Sequence, residues 1–264
     1  MRQVEGVIFD WAGTTVDFGC FAPVNAFIGI FKNAGIDVTI EEARAPMGLL
    51  KIEHIRAMLS MPRITALWEE KYGRGFNEQD VKDLFAGFES SLMKTLAKYT
   101  DPKPEVLETV ENLKRQGLKI GSTSGYTQKM MDVVVPEAAK KGYSPDFYIT
   151  PDGTNGLGRP YPYMIYRNME ALKLTAARKV VKVGDTIPDI EEATNAGVWS
   201  VGVIIGSSEM GLSLEEYHEL SEVEQEEMSA KTERTFLDHG ADFTIKSMGE
   251  LPSIIEQVNQ FISK

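Results

Sequence analysis

Four short apolar runs that end at glycine, serine, threonine or aspartate constrain the fold of this chain more than any other feature. They are residues 4–9, 118–121, 180–183 and 199–205, and residues 147–149 and 241–245 are two further candidates. Segments with helical spacing, such as residues 105–116 and 161–172, lie between most of them. Buried strands that alternate with helices are typical of a parallel sheet covered on both faces. The sequence therefore predicts an α/β protein with a doubly wound parallel sheet.

Residues 18–100 interrupt this alternation. They contain no run typical of a strand, and four segments with helical spacing, at residues 23–34, 49–59, 64–72 and 78–96. Neighbouring parallel strands need only one crossover helix, so about 80 helical residues exceed a simple connection. We therefore predict a Rossmann-like core of residues 1–17 and 101–264 and an inserted helical bundle of residues 18–100. The acidic stretch at residues 207–234 is predicted to form a surface helix.

Charge and cysteine content argue against several kinds of partner. With 39 acidic and 28 basic residues the formal net charge is −11, whereas binding to nucleic acid or to anionic membranes needs a basic surface. Cys20 is the single cysteine, so an intrachain disulfide is excluded, which suits a reducing compartment. No apolar run approaches the length of about 18 residues that a membrane span needs. We expect a soluble, cytoplasmic protein without nucleic-acid or membrane partners.

Polar residues follow three of the predicted strands. Asp10, Ser124 and Asp185 each come shortly after an apolar run, and ligands bind beyond the carboxyl ends of parallel strands. A carboxylate there serves as a nucleophile, as a metal ligand or only as the cap of the next element. The hydroxyl and backbone N–H groups around Ser124 precede a helix, an arrangement that receives phosphate. Asp185 and Asp189 supply hard oxygen ligands, which suit Mg²⁺.

Together these segments resemble the haloacid dehalogenase superfamily of hydrolases that form an aspartyl phosphate. The similarity includes their order, the Gly-Arg-Pro-Tyr-Pro segment around Arg159, and the insertion, which corresponds to the cap domain of that superfamily. Ala12 departs from the pattern, because phosphatases of this superfamily usually carry there a second aspartate that protonates the leaving alkoxide. A methyl group donates no proton. A leaving group on this chain therefore has to be stabilised in another way.

The insertion contains a candidate for that stabilisation. After Pro46 the sequence predicts a helix on which Met47, Lys51 and His54 share one face. A lysine on a helix is usually a solvated charge, and that alternative stays open here. A desolvated lysine, or one near other cations, has a lowered pKa, and its neutral amine attacks carbonyl groups. Lys51 is therefore a candidate nucleophile toward an aldehyde or ketone.

Two segments narrow the resemblance to the phosphonoacetaldehyde hydrolase family. They are Asp-Trp-Ala-Gly-Thr, beginning at Asp10, and Met-Gly-Leu-Leu-Lys-x-x-His, beginning at Met47. The resemblance implies hydrolysis of a P–C bond, with Asp10 as nucleophile and Lys51 as the Schiff-base lysine. It also implies Mg²⁺ bound by Asp10, the Ala12 carbonyl and Asp185, a homodimer, and a mobile cap.

Further residues receive roles from their chemistry. His54 is expected to carry protons, since imidazole titrates near a pKa of about 6.5. Arg159 is expected to hold the phosphoryl group or Asp10, and Ser124 with the Gly125 N–H to bind the same oxygens. Tyr126 either orients the lysine or a water, or packs as an aromatic between cap and core. Asp189 is expected to support the metal through water or a hydrogen bond, and Cys20 to be a small buried apolar residue.

Other functions fit the sequence less well. A phosphate-ester phosphatase or sugar-phosphate mutase of the same superfamily predicts an acid at position 12 and needs no lysine at position 51. A haloacid dehalogenase has no use for a metal site at Asp185. A non-catalytic anion-binding module predicts the loss of Asp10, Asp185 or Arg159, and all three are present. A dinucleotide-binding protein is disfavoured because no G-x-G-x-x-G follows the first strand.

Overall fold

A six-stranded parallel sheet forms the centre of the computed structural model, which describes residues 4–263. The strands are β1 (Gly6–Phe9), β2 (Lys119–Thr123), β3 (Phe147–Ile149), β4 (Val180–Gly184), β5 (Trp199–Val203) and β6 (Phe243–Ile245). Their order across the sheet is β3-β2-β1-β4-β5-β6, and every neighbouring pair is parallel. All six predicted strands and the doubly wound fold class are confirmed. The outermost residues of the predicted core, 1–3 and 264, lie outside the described residues.

The register of the central strands places the predicted nucleophile at the switch point of the sheet. Phe9, the last residue of β1, pairs with Ser122 of β2 on one side and with Val183 of β4 on the other. Asp10 follows and donates its backbone N–H to the Val183 carbonyl at 2.9 Å. It therefore lies between the loops that follow β2 and β4, where doubly wound sheets bind ligands.

Helices cover both faces of the sheet because side chains alternate along each strand. Ile8 packs with α8 (Tyr163–Leu172) and α9 (Ile187–Ala196), whereas Val7 and Phe9 join the larger apolar cluster on the other face. That cluster includes residues of α6 (Val106–Arg115), α7 (Gln128–Lys140) and α12 (Leu251–Ile262). Within residues 4–263, no helix combines the length and the hydropathy needed to cross a membrane.

The acidic stretch at residues 207–234 forms two helices and not the single surface helix that the sequence predicts. They are α10 (Leu214–Glu219) and α11 (Glu222–Asp238). Ser213 and Ser221 each begin a helix with a capping box, and the second box starts a new helix where one continuous helix was expected. The side chain of Phe236 is fully buried, so α11 also contributes to the core.

Every regular element of the insertion is a helix, as predicted. It contains α1 (Phe21–Asn33), α2 (Ile40–Arg44), α3 (Lys51–Leu59), α4 (Pro62–Tyr72), α5 (Glu78–Thr95) and a 3₁₀ turn at Leu96–Tyr99. The rings of Phe27 in α1 and Phe88 in α5 stack with centroids 4.3 Å apart. The division into core and cap at residues 17/18 and 100/101 stays a prediction.

The helix that the sequence predicts from Met47 onward begins four residues later, at Lys51. Met47 lies in a turn that follows α2, and α3 starts at Lys51. Gly48 has φ +90°, a left-handed backbone that a helix does not allow. The prediction that Met47 shares a helical face with Lys51 and His54 is therefore wrong. Met47 nevertheless lies in the same cavity as Lys51, because the turn folds it back there.

Candidate active site

Asp10 is held by a buried arginine from the loop before α8. Arg159 Nη2 lies 2.5 Å from Asp10 Oδ1, and the two side chains are 1% and 8% exposed. A charge-assisted contact of this kind, away from water, fixes the carboxylate and leaves Oδ2 of Asp10 without a hydrogen-bond donor among the described residues. That oxygen is available for attack on an electrophile.

Asp185 follows β4 and is fully buried beside Asp10. Its two oxygens accept hydrogen bonds from the Thr14 hydroxyl at 2.7 Å and from the Ser208 N–H at 2.8 Å. Burial, followed by the negative charges of Asp10 and Asp189, raises the pKa of Asp185 to about 8. Such a carboxylate needs a nearby cation to remain ionised at neutral pH.

Asp189 completes a cluster of three carboxylates whose nearest oxygens lie within 4.8 Å of one another. Its Oδ1 lies 2.6 Å from Lys182 Nζ and 3.1 Å from Arg159 Nη2, and its Oδ2 accepts from the Thr186 hydroxyl at 2.6 Å. Although burial opposes it, the charges of Arg159 and Lys182 hold the pKa of Asp189 below its ordinary value. Both oxygens of Asp189 are thus occupied, whereas Asp10 has an oxygen to spare.

The donor set fits a divalent cation. The buried cations Arg159 and Lys182 form ion pairs with Asp10, Asp189 and Glu192, whereas Asp185 has no ion-pair partner among the described residues. Uncompensated charge away from water is unfavourable by several kcal/mol, and carboxylate oxygens are the ligands of hard divalent ions. The cluster can therefore hold one such ion.

The loop after Asp10 is shaped closely around Asp185. Gly13 has φ +88°, and a Cβ atom there would overlap Oδ2 of Asp185. Lys103, from the second connection to the insertion, donates to the carbonyls of Gly13, Ile205 and Gly206. Lys103 thus ties the loop after β1 to the loop after β5, and glycine is the residue that allows the carboxylate to approach.

Lys51 reaches this site from the first turn of α3. It is 4% exposed, yet its Nζ makes no hydrogen bond or ion pair with any residue in the described part of the chain. The faces of the Tyr126 and Phe27 rings lie 5.3 and 5.9 Å from Nζ. Burial lowers the pKa of Lys51, and the charge of Arg159 acts in the same direction. An amine with a lowered pKa and without a partner is suited to attack a carbonyl carbon.

His54 does not have the surroundings of a proton carrier that titrates near neutrality. Its ring is fully buried, stacks on Phe27 at 3.8 Å between centroids, and binds the Ala43 carbonyl through Nε2 at 3.0 Å. Burial, with the nearby charge of Lys51, lowers the pKa of His54 well below 6.5. The expectation that its pKa lies near 6.5 is therefore wrong, and the neutral ring packs beneath the start of α3.

The loop after β2 meets the insertion. The Ser124 hydroxyl accepts from the Tyr126 N–H at 3.1 Å. A Cβ atom on Gly125 would lie 3.2 Å from the Leu49 carbonyl, so the backbones of the two segments are in close contact. The Tyr126 ring is buried against Lys51, and its hydroxyl has no hydrogen-bond partner among the described residues.

A cavity of about 20 Å³ lies between these groups. Eight of the eleven predicted site residues line it: Asp10, Ala12, Met47, Lys51, Ser124, Gly125, Tyr126 and Arg159. Cys20 and Thr186 also face it, and the buried Cys20 is placed beside Lys51. His54, Asp185 and Asp189 lie behind this first layer. The structure therefore joins a buried carboxylate, a guanidinium and an unpaired amine in one closed space.

Comparison with known proteins shows the family to which the chain belongs. A family model described as haloacid dehalogenase-like hydrolase matches residues 4–197. The phosphonoacetaldehyde hydrolase of Lysinibacillus sphaericus is 57% identical over 98% of this chain and 96% of its own length. The chain belongs to the phosphonoacetaldehyde hydrolase family. This member of the family carries an alanine at position 12 and a lysine at position 51.

Other members of the phosphonoacetaldehyde hydrolase family extend the comparison. A bifunctional phosphonoacetaldehyde hydrolase/aminoethylphosphonate transaminase of Clostridioides difficile is 54% identical over 97% of this chain, which spans 40% of that longer protein. The crystal structure of a phosphonoacetaldehyde hydrolase-like protein from Oleispira antarctica superposes with a TM-score of 0.95 at 38% identity, covering 98% of this chain and 94% of that one. A β-phosphoglucomutase of C. difficile, with a TM-score of 0.69 at 18% identity, shares the fold.

Several residues that build the site were not predicted. Lys182 lies in the middle of β4 and Glu192 lies within α9, and both are fully buried. A single charged residue in an apolar strand or on a helix does not by itself indicate a role in a site. Lys103 follows Pro102 close to the predicted boundary between the insertion and the core, where nothing in the sequence indicates a role. One signal was present for Glu192: it follows Asp189 by three residues, so both carboxylates project from the same face of α9.

Proposed function

We propose that this enzyme cleaves the P–C bond of phosphonoacetaldehyde, giving acetaldehyde and phosphate, through an imine on Lys51 and a phosphoryl group on Asp10. The observation that carries this mechanism is the buried, unpaired Nζ of Lys51 in the same cavity as Asp10. The amine forms no ion pair or hydrogen bond among the described residues that would explain its burial. An imine on Lys51 would also stabilise the leaving carbon without a proton donor at position 12.

The first step is condensation of the Lys51 amine with the aldehyde. Burial lowers the pKa of Lys51, so a larger fraction of the side chain is the neutral, nucleophilic amine. Attack at the carbonyl carbon, uptake of one proton and loss of water give a protonated imine. The Tyr126 ring, 5.3 Å from Nζ, stabilises the positive charge through its face.

Asp10 then attacks phosphorus in line with the P–C bond. A bond forms between a carboxylate oxygen and phosphorus, the P–C bond breaks, and its electron pair moves into the imine to give a neutral enamine. Arg159 offers charge-assisted hydrogen bonds to the phosphoryl oxygens, and Ser124 and the Gly125 N–H lie where they add further contacts. Water hydrolyses the phosphoryl-Asp10, the enamine takes a proton at carbon, and hydrolysis of the resulting imine releases acetaldehyde.

We propose Mg²⁺ as the ion of the carboxylate cluster, held by Asp10, the Ala12 carbonyl and Asp185. When bound, such an ion neutralises the charge that develops on the phosphoryl oxygens. Asp189, whose oxygens are taken up by Lys182, Arg159 and Thr186, orients its neighbours and does not serve as a ligand. Asp185, which has no ion-pair partner among the described residues, and the free Oδ2 of Asp10 support a cation at this place.

The insertion has to move for the substrate to enter. A cavity of about 20 Å³ holds about one water molecule, and phosphonoacetaldehyde is several times larger. A cleft of about 640 Å³ between α3 and residues 156–161 leads to the other side of Arg159. We propose that residues 18–100 are a mobile cap, described here in its closed position, and that the active enzyme is a cytoplasmic homodimer.

The competing function, hydrolysis of phosphate esters, is separated by a paired assay. Wild-type enzyme is expected to release equal amounts of phosphate and acetaldehyde from phosphonoacetaldehyde, and at most trace phosphate from p-nitrophenyl phosphate. Asp10→Asn is expected to abolish phosphate release, whereas Asp238→Asn, an exposed aspartate on α11, is expected to leave it unchanged. Ester hydrolysis at a comparable rate, or turnover by Asp10→Asn, would contradict the proposal.

A further inference from the structure

Two of the three guanidinium nitrogens of Arg159 are engaged by buried side chains. Nη2 lies 2.5 Å from Asp10 Oδ1 and donates to the Thr123 hydroxyl at 3.0 Å. Nε donates to Glu192 Oε2 at 3.1 Å. Nη1 makes no hydrogen bond with any residue that the structure describes. Because the guanidinium is a rigid plane, fixing Nε and Nη2 also fixes the direction in which Nη1 points.

Glu192 is itself firmly placed. It is fully buried on α9, three residues after Asp189, and its Oε2 also accepts a hydrogen bond from the Thr123 hydroxyl at 3.2 Å. Thr123 thus joins Glu192 to the other end of the same guanidinium. Lys182 lies 3.7 Å from Glu192 but 2.6 Å from Asp189, so Asp189 already serves as its ion-pair partner. The closer contact of Glu192 is with Arg159.

We infer that Glu192 is a positioning residue for P–C bond cleavage: by holding Nε of Arg159 it orients the guanidinium so that Nη2 holds Asp10 and Nη1 faces the phosphonate. Without this hold only Nη2 fixes the guanidinium, so it can rotate about its side-chain bonds and the nucleophile loses its alignment. The inference deepens the proposed function and rests on it, since it concerns the phosphoryl-transfer half of that reaction. Lys51 forms no hydrogen bond or ion pair with Glu192 or Arg159, so we expect imine formation on Lys51 to be independent of Glu192.

This independence gives a test in which two steps are measured separately. Glu192→Gln keeps an oxygen acceptor for Nε and removes the charge, whereas Glu192→Met has similar length and no comparable acceptor. Thr123→Val removes the bridging hydroxyl without changing any charge. Glu191→Gln, on the neighbouring and partly exposed residue of α9, is the matched control. Each variant is assayed for phosphate release and for borohydride trapping of phosphonoacetaldehyde on Lys51.

We expect Glu192→Met to lower kcat for phosphate release by about 10²-fold, the effect of a misplaced catalytic group, with trapping on Lys51 within about twofold of the wild type. Glu192→Gln should recover kcat to within about fivefold of the wild type, and Thr123→Val should lower it by roughly tenfold. If Glu192→Met does not fold, the inference is tested by comparing phosphate release by Thr123→Val with that by the control Glu191→Gln.

Three results would overturn the inference: phosphate release by Glu192→Met or Thr123→Val within twofold of the control, equal loss of trapping and phosphate release, or a Gln variant as impaired as the Met variant. Failure of the proposed function is recognised separately, because the wild-type enzyme would then show no trapping on Lys51.

Discussion

Replacing Lys51 by methionine is expected to stabilise the fold while abolishing turnover. Lys51 is 4% exposed, and its ammonium group has no ion-pair or hydrogen-bond partner among the described residues. An unsatisfied buried polar group costs about 1–3 kcal/mol, and more when it is charged. Methionine has a similar length and no charge, and it fills the same space beside Phe27 and Tyr126. We therefore expect Lys51→Met to raise Tm by roughly 2–10 °C, since about 1 kcal/mol shifts the Tm of a domain of this size by about 2–4 °C.

The gain should depend on pH with a definite sign. Burial lowers the pKa of Lys51 from 10.5 in the folded protein, so the unfolded chain binds more protons in the window between the folded value and 10.5. Wild-type stability therefore rises with pH across that window. The advantage of Lys51→Met is largest below the folded pKa and shrinks as the pH approaches 10.5.

Turnover should fall by at least about 10³-fold, because an electron sink worth roughly 4 kcal/mol or more of the barrier is lost. Thermal unfolding and phosphate release are measured on the same preparations. Lys82→Met, at an exposed lysine of α5, is the control and should change neither quantity. A lower Tm for Lys51→Met, or turnover within tenfold of the wild type, would refute the reasoning.

Three further predictions concern the other parts of the site. Gly13→Ala should weaken Mg²⁺ binding by about 10–100-fold in calorimetry, because the added Cβ displaces Asp185. Gly73→Ala, also at positive φ but in open space, is the control and should leave Mg²⁺ binding unchanged. Equal effects of the two substitutions would mean that backbone strain alone is responsible. His54→Gln should reduce the loss of folding stability as the pH falls below 6.5, since the unfolded chain gains a proton that the buried ring does not; an unchanged slope in pH-dependent denaturation would contradict this. Ala12→Asp should not raise ester hydrolysis and should lower stability, because it adds a buried carboxylate beside those of Asp10 and Asp185. A large gain in phosphatase activity would show that the cap admits esters.

The strands could be predicted because each is a short apolar run with a polar end, and the residues at three of those ends were therefore placed correctly at one edge of the sheet. Lys51 was predicted from sequence resemblance and helical spacing, but its burial without a partner depends on how the insertion folds over the core. The start of α3 was predicted too early because the apolar spacing typical of a helix already includes Met47. In the structure the positive φ of Gly48 prevents a helix there, and α3 begins only at Lys51.

Residues whose role depends on tertiary contacts left little trace in the sequence. Glu192 is one of many acidic residues on helices, and only its contact with Arg159 across the sheet edge distinguishes it. The low pKa of His54 arises first from burial, to which packing against Phe27, twenty-seven residues away in the chain, contributes, and then from the charge of Lys51 on α3. Local patterns specify elements and strand ends, whereas the electrostatics of the site is set by which elements enclose it.

Borohydride reduction during turnover tests the central claim most directly. With phosphonoacetaldehyde and wild-type enzyme, peptide mapping should find Lys51 converted mainly to N-ethyl-lysine, because the P–C bond breaks before reduction. In Asp10→Asn the same lysine should carry the phosphonoethyl group, because the imine forms but the bond to phosphorus survives. Absence of any adduct on Lys51, or an adduct on another lysine, would contradict the account. A dephosphorylated adduct in Asp10→Asn would likewise remove Asp10 from the bond-breaking step.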